Sequence, residues 1–339
     1  MFKENLNRIV NRTDLTDEQM ASMISDIFSG EITDAQIGAF MAALATKGET
    51  FEELAGAARA MRRKAHRIEV SAPAVVDTCG TGGDVSNTFN ISTTTAFVVA
   101  GCGVPVAKHG NRSVSSQCGS ADLLEALDVK IDTAPEIVEE AIMEIGIGFL
   151  FAPVYHGAMR FAARARKEVG LRSIFNMLGP LTNPAAANCQ LLGVYAPTLT
   201  EMFAEALRVL GAKRALVVHG HDGLDEISVC APTRVSELAD GAIRTYDLSP
   251  EPFFGGIADP ATLAGGTPEE NAAITRAILN GEDHGPRRNV VLINAGAALV
   301  AAGIADDVKA GIGLAEAAID ERRAIEKLEA LIDYTRENG

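Results

Sequence analysis

Residues 74–94 read AVVDTCGTGGDVSNTFNISTT, and this stretch decides the class of fold. A β-branched apolar run leads into Gly80, Gly82 and Gly83, and a polar segment then opens an apolar helix. A strand that ends in a glycine turn and feeds a helix is the repeating unit of α/β domains. Lacking a Cβ, glycine allows both unusual dihedrals and the close backbone approach that an anion requires. The helix start adds unpaired N–H donors. The turn from Cys79 to Asp84 therefore reads as a grip for a phosphate group, with a tight packing turn as the plain alternative. It is neither a P-loop nor a dinucleotide fingerprint. No Gly-Lys-Ser/Thr follows, and Val85 stands where the third glycine of G-x-G-x-x-G belongs.

Upstream, the first 65 residues read as consecutive helices. Capping-box patterns recur as Thr16 with Gln19, Thr33 with Gln36 and Thr50 with Glu53. Phe40, Met41 and Leu44, then Phe51 and Leu54, repeat at helical spacing and supply faces for a small helical layer or for a partner chain. The basic run Arg62, Arg63, Lys64, His66, Arg67 reads as a solvated helix end or a patch that steers anions. Downstream, the pattern predicts strands at 74–77, 104–108, 214–219 and 289–294. It predicts helices at 120–127, 134–145, 199–210 and 268–279, and a final one from about residue 314. Residues 221–270 hold ten acids against two arginines, and residues 248–266 contain three prolines and four glycines, which predicts an acidic, loop-rich excursion.

Three further segments carry chemistry. Lys108-His109-Gly110-Asn111-Arg112-Ser113 leaves a predicted strand, with Ser115, Ser116, Gly119 and Ser120 close behind; two cations and several hydroxyls suit a second phosphate or a pyrophosphate. An exposed polar loop is the alternative. His219-Gly220-His221-Asp222-Gly223-Leu224-Asp225-Glu226 ends another strand. Adjacent Asp225 and Glu226 offer hard oxygen ligands for Mg2+, while His219 and His221 leave zinc or a solvated acidic turn open. Residues 154–184 carry His156, Arg160, Arg164, Arg166, Lys167 and Arg172 before the rigid turn Asn176 to Pro184. His156 and Arg160, four apart, are expected to share a side, and Arg166 can take a carboxylate with its planar fork.

The 339 residues allow one large domain, or a large and a small one, with a buried core. A formal charge of -15 argues against nucleic-acid or anionic-membrane binding. Five cysteines without paired spacing argue against a disulfide framework or a zinc ribbon and point to reducing cytosol. The N-terminus lacks the apolar core of a secretory signal, and no apolar run approaches the roughly 20 residues of a membrane span. A soluble, cytoplasmic protein is the expectation.

Taken together, the chain resembles the anthranilate phosphoribosyltransferase family over nearly its whole length. The resemblance rests on Asp77-Thr-Cys-Gly-Thr-Gly-Gly-Asp84, Thr88-Phe-Asn-Ile-Ser-Thr93, Lys108-His-Gly-Asn-Arg-Ser113, Gly119-Ser-Ala-Asp122, Asn176-Met-Leu-Gly-Pro-Leu-Thr-Asn-Pro184 and Asp222-Gly-Leu-Asp-Glu226. It implies a small helical domain over residues 1–70, with a helical contribution from about 165–190, and an α/β domain over residues 71–339. The α/β domain would carry a central mixed, mostly parallel sheet flanked by helices, the fold shared with nucleoside phosphorylases. It further implies a homodimer that pairs through the helical domain.

By the same resemblance, phosphoribosyl pyrophosphate is bound by Gly80, Gly83, Asp84, Thr88, Asn90, Ile91, Ser92 and Thr93. The run Lys108, His109, Gly110, Asn111, Arg112, Ser113, Val114, Ser115 and Ser116, with Ser120, completes that set. Ser92, Asp225 and Glu226 organise Mg2+. Asn111 and Arg166 handle anthranilate, and Gly80, His109, His156 and Pro180 line its path. Lys108, Asn90 and Asp84 position the donor and stabilise charge, with no covalent nucleophile. Relatives commonly have glycine where this chain has Val85, which implies a slightly stiffer loop. The implied reaction joins the 5-phosphoribosyl group to the amine of anthranilate, in tryptophan biosynthesis. A nucleoside phosphorylase and a non-catalytic anion sensor remain the rival readings.

Overall fold

The computed structural model describes every residue except Val85 and Val114, Ser115 and Ser116. The expectations attached to those four lie outside the described residues. The chain starts with four helices, Phe2–Val10, Asp17–Ser29, Asp34–Lys47 and Phe51–Lys64. The last three begin where the sequence says: the hydroxyls of Thr16, Thr33 and Thr50 each accept from the N3 backbone N–H, while the N3 side-chain oxygen accepts from the threonine's own N–H. Arg62, from the basic run, is not simply solvated. Its Nε donates to Leu181 O at 2.7 Å and so fastens the fourth helix to the turn before residue 184.

Seven strands form one sheet: β1 Val76–Asp77, β2 Val106–Gly110, β3 Ile147–Phe151, β4 Cys189–Gly193, β5 Arg214–Gly220, β6 Thr233–Ala239 and β7 Ala242–Leu248. Their spatial order is β3-β2-β1-β4-β5-β6-β7, parallel from β3 to β5 and antiparallel at the two β6 contacts. This is a mixed, mostly parallel sheet beside a helical bundle. Period-two alternation assigns the two faces: Leu191, Leu216 and Val218 enter one core with the C-terminal helices, whereas Leu192, Ala215 and Val217 enter another. That second core contains the four N-terminal helices and residues Ala162 to Leu181.

Several expected elements need correction. Residues 289–294 are not a strand but the middle of the helix Pro286–Ala301. They are buried on nearly every side, so the helical period is invisible in an all-apolar run. The final helix is two, Val308–Asp320 and Arg323–Asn338, broken where Arg322 takes a φ of 65°. The region 221–270 is no simple loop. It holds the β6–β7 hairpin, turned at Asp240 and Gly241 with φ of 51° and 76°.

Chain order along the sheet sets the place of the site. From β1 the chain moves to β2 on one side; from β4 it moves to β5 on the other. Where the direction of winding reverses, the loops leaving the carboxyl ends of the two strands part and open a crevice. Those loops start at Thr78 and Val194.

Candidate active site

The glycine turn hangs from that crevice on three bonds. Thr81 N donates to Gly193 O at 2.8 Å, Tyr195 N donates to Thr81 Oγ1 at 3.1 Å, and Gly82 N donates to Asp225 Oδ2 at 2.9 Å. Gly82 and Gly83 both have positive φ, 64° and 82°, which explains the glycine pair. Gly193 must also be glycine, since a Cβ there would overlap the backbone oxygen of Asp225. The turn is thus anchored to β4 and to the acidic loop after β5.

Asp77, at the carboxyl end of β1, is fully buried in the middle of the sheet. Its Oδ1 accepts from His109 N at 3.2 Å and its Oδ2 from Asn183 Nδ2 at 2.8 Å. Burial pushes its carboxyl up to about 6, against the pull of Lys108. Lys108, also buried, donates Nζ to Thr78 O at 3.2 Å, and no carboxylate among the described residues forms an ion pair with it. Asp77, Cys79 and His109 bring three donor atoms within 4.8 Å of one another. Both Asp77 oxygens are already engaged, by His109 N and Asn183 Nδ2, so the group serves as a hydrogen-bonded framework, in which burial pushes the Cys79 thiol up to about 12.

Asn90 caps the helix Ile91–Gly101, its Oδ1 accepting from Thr93 N at 3.1 Å. The cap is itself held: Asn271 Oδ1 accepts from Asn90 N at 2.8 Å. Ile91 and Thr93 are buried, so Ile91 offers the site only backbone, while Ser92 is partly exposed beside Thr78, whose Oγ1 donates to Ser92 O at 3.0 Å. Thr88 pairs with Ala264 in an isolated bridge that ties the segment before this helix to residues 263–265.

On the next strand, a Cβ at Gly110 would overlap Ser120 Oγ, so the two residues pack as a pair. Ser120 Oγ accepts from Asn111 N and donates to Asn111 O, both at 3.1 Å. Asp122 gathers the loop by accepting from Ser113 N and Gly119 N. Arg112 is turned onto Asp122 and Glu125, with Nη2 to Glu125 Oε1 at 2.8 Å. Lys108 is therefore a strand-end cation that forms no direct ion pair among the described residues.

Asp84, Asp225 and Glu226 converge. Burial first, then the charge of Asp84, raises the Asp225 carboxyl; burial, then Asp225, raises that of Glu226 well above the usual range, against Lys108. Asp84 beside the adjacent Asp225 and Glu226 offers hard carboxylate oxygens of the kind that suit a divalent cation such as Mg2+. The two histidines of this segment do not combine as a zinc pair. His219 Nδ1 lies 2.7 Å from Val194 O, and His221 Nε2 lies 3.0 Å from Asp247 Oδ1.

The second half of the site is drier. His109 and His156 meet edge to face, ring centres 5.1 Å apart, and both are buried. His109 Nδ1 lies 3.0 Å from Gly179 O, next to buried Pro180, while His109 Nε2 and both nitrogens of His156 lack a hydrogen-bond partner among the described residues. Burial holds their pKa values down to about 3 and 4. His156 and Arg160 do not share a side: His156 sits between two short helical turns, and Arg160 lies over the Phe161 ring at 4.8 Å. Arg166, partly buried on the helix Arg160–Val169, has its guanidinium 5.6 Å over Phe175 and no carboxylate partner among the described residues.

Sequence reasoning gave no role to Asn183, Asn271 or Arg172. Arg172 Nη2 donates to Gly83 O at 3.0 Å, and its guanidinium stands 3.9 Å over the Tyr195 ring. Its position in a basic run was a visible signal, and Asn183 stood within the Asn176 to Pro184 turn; Asn271 gave none.

The sequence matches the glycosyl transferase family, helical bundle domain, over residues 3–65 and the glycosyl transferase family, a/b domain, over residues 72–325. It is 71% identical over 339 residues, all of both chains, to an anthranilate phosphoribosyltransferase of Desulfosudis oleivorans. Its fold is similar to the crystal structure of anthranilate phosphoribosyltransferase from Thermus thermophilus, with a TM-score of 0.93 and 43% identity, covering 98% of this chain and 99% of that one. It is also similar to the Saccharomyces cerevisiae enzyme in complex with PRPP and Mg, with a TM-score of 0.91 and 28% identity, covering 99% and 98%.

Proposed function

The chain belongs to the anthranilate phosphoribosyltransferases of the glycosyl transferase family, and we infer that it moves the 5-phosphoribosyl group of phosphoribosyl pyrophosphate to the amine of anthranilate, releasing pyrophosphate. It thereby serves tryptophan biosynthesis. Two observations support this reading: a glycine turn held by Asp225 with buried Lys108 bonded at its base, and an Arg166 whose guanidinium lies over Phe175 with no carboxylate partner among the described residues. The first suits a polyanionic sugar, the second an aromatic carboxylate.

Displacing pyrophosphate from C1 of ribose builds negative charge on the leaving oxygens and positive charge on the sugar. Lys108 and the turn's remaining backbone N–H groups, those of Thr81 and Gly82 being engaged by Gly193 O and Asp225 Oδ2, face the first of these. Asn90 and Asp84 orient the donor, with Thr88, Ser92, Ser120 and the run from His109 to Ser113 around it. Asp225 and Glu226, with Ser92, would hold Mg2+, which neutralises pyrophosphate oxygens when bound. The aromatic amine is neutral near pH 7 and attacks without prior deprotonation, so the protein's task is to hold it in line. Arg166 takes its carboxylate and Asn111 adds a polar contact. His109, His156 and Pro180 line its path as neutral, non-basic walls. The helical layer is the surface through which two copies would pair.

Supplying phosphoribosyl pyrophosphate, anthranilate and Mg2+ should give loss of anthranilate fluorescence with stoichiometric pyrophosphate. Phosphorolysis of a nucleoside in place of that turnover would assign the chain to the phosphorylases instead, and donor binding without pyrophosphate release would make it an anion sensor.

A further inference from the structure

Arg172 stands outside every set of residues named for donor, acceptor or metal, yet it grips the glycine turn directly. It is exposed, pairs with no carboxylate among the described residues, and directs Nη2 to Gly83 O at 3.0 Å. The bond is close enough to shape the loop: a Cβ on Gly83 would lie 2.5 Å from that nitrogen. Its planar face is fixed by the Tyr195 ring, 3.9 Å away. Tyr195 is tied to the same turn through its own N–H, which donates to Thr81 Oγ1. Arginine, unlike lysine, can stack and donate at once, so the arrangement uses what is particular to guanidinium.

The consequence follows from peptide geometry. In a trans peptide the C=O of one residue and the N–H of the next point in opposite directions. A guanidinium that holds Gly83 O therefore turns the N–H of Asp84 away from Arg172. Two residues before Asp84, the N–H of Gly82 is already committed to Asp225 Oδ2. Gly82 and Gly83 both sit at positive φ, where glycine has its widest freedom, so the plane between Gly83 and Asp84 needs an outside constraint to keep one orientation.

We propose that Arg172, braced on the face of Tyr195, is a positioning residue that fixes the Gly83–Asp84 peptide so that its N–H is presented to the phosphate end of the sugar donor. The inference rests on the transfer reaction proposed above. Arg172→Ala should raise KM and calorimetric Kd for phosphoribosyl pyrophosphate by about ten- to a hundredfold, as expected for losing a charge-assisted bond. The KM for anthranilate should stay within about twofold and the Tm should not move, because the side chain is exposed. Arg172→Lys should recover only part of the affinity. Tyr195→Leu should weaken donor binding in the same direction, and the double variant should be no worse than Arg172→Ala alone.

Unchanged donor affinity in Arg172→Ala, or an equal rise for both substrates, would overturn the assignment, and additive losses in the double variant would remove Tyr195 from it. Should Arg172→Ala lower the Tm, Arg172→Lys and Tyr195→Leu carry the same comparison. If the unaltered protein transfers nothing to anthranilate, the reaction assigned above falls, while calorimetry with the donor still decides for or against Arg172.

Discussion

Gly82 donates its backbone N–H to Oδ2 of Asp225 across 2.9 Å, joining the glycine turn to the acidic pair although 143 positions separate them. One carboxylate thus does two things that sequence treats as separate: it shapes the glycine turn, and it lies beside Asp84 next to Glu226, where we propose Mg2+ binds. The two roles respond differently to substitution.

Asp225→Asn keeps an oxygen for Gly82 N but removes the negative charge that a cation needs. Half-saturation by Mg2+ should shift upward on the order of tenfold, with the KM for the sugar donor little changed at saturating metal. Asp225→Ala removes both functions and should raise the two together. A Mg2+ titration of initial rates separates the cases, and an unaltered titration in Asp225→Asn would exclude the carboxylate from the metal site.

Arg166 is held by an aromatic face and by no acid among the described residues, so its fork is open to a planar carboxylate. Burial lowers its pKa without bringing it into range of neutralisation, because guanidinium begins so high. Arg166→Ala should raise KM for anthranilate by roughly ten- to a hundredfold, the worth of a charged hydrogen-bonded pair, and leave KM for phosphoribosyl pyrophosphate nearly untouched. Equal effects on the two substrates would count against a carboxylate-binding role.

What could be read in advance follows from the range of each interaction. The boxes at Thr16, Thr33 and Thr50 span three residues, so they are local and were legible. The glycine turn was legible for the same reason, since the φ demands at Gly82 and Gly83 lie within the segment itself. The helix Pro286–Ala301 was misread because burial on nearly every side erases the pattern that marks a helix. Asp240-Gly241 is a hairpin signal that the acid content around it concealed. Asp77, Asn183, Asn271 and Arg172 act through partners 32 to 181 positions away and leave no periodic trace.

The His109–His156 pair is buried as neutral imidazole, which sets a sign for its pH dependence. Both folded-state pKa values, about 3 and about 4, lie below the ordinary 6.5. Below pH 6.5 the unfolded chain therefore takes up protons that the folded chain refuses, and stability contributed by the neutral rings is lost as pH falls toward 4. Asp77, with its folded pKa raised to about 6, works the other way between pH 6 and 3.8. Lys108 also faces His109, so the informative quantity is a difference between proteins. His156→Phe keeps the edge-to-face contact and removes one titrating group. The stability of the unaltered protein minus that of the variant should decline by about 1.4 kcal/mol per pH unit from 6.5 to about 4. Urea melts across that window measure it, and a flat difference would mean that His156 is solvated or paired.

The helical layer depends on one buried carboxylate. Glu53 has no exposed surface, yet it accepts from Leu15 N at 3.0 Å, from Thr50 N at 2.9 Å and from Lys47 Nζ at 2.9 Å. Lys47, nearly as buried, keeps Asp14 as its other acid. Removing Glu53 leaves Leu15 N without its carboxylate and the ammonium half-paired, so Glu53→Ala should cost about 3–5 kcal/mol, in the range for breaking a buried pair. Glu53→Gln preserves the shape and one oxygen for a backbone N–H and should cost less. Because four helices and residues Ala162 to Leu181 share one core, the loss should appear as a lower midpoint of the whole urea transition. An early, separate melting of the first 64 residues would instead show that the helical layer unfolds on its own.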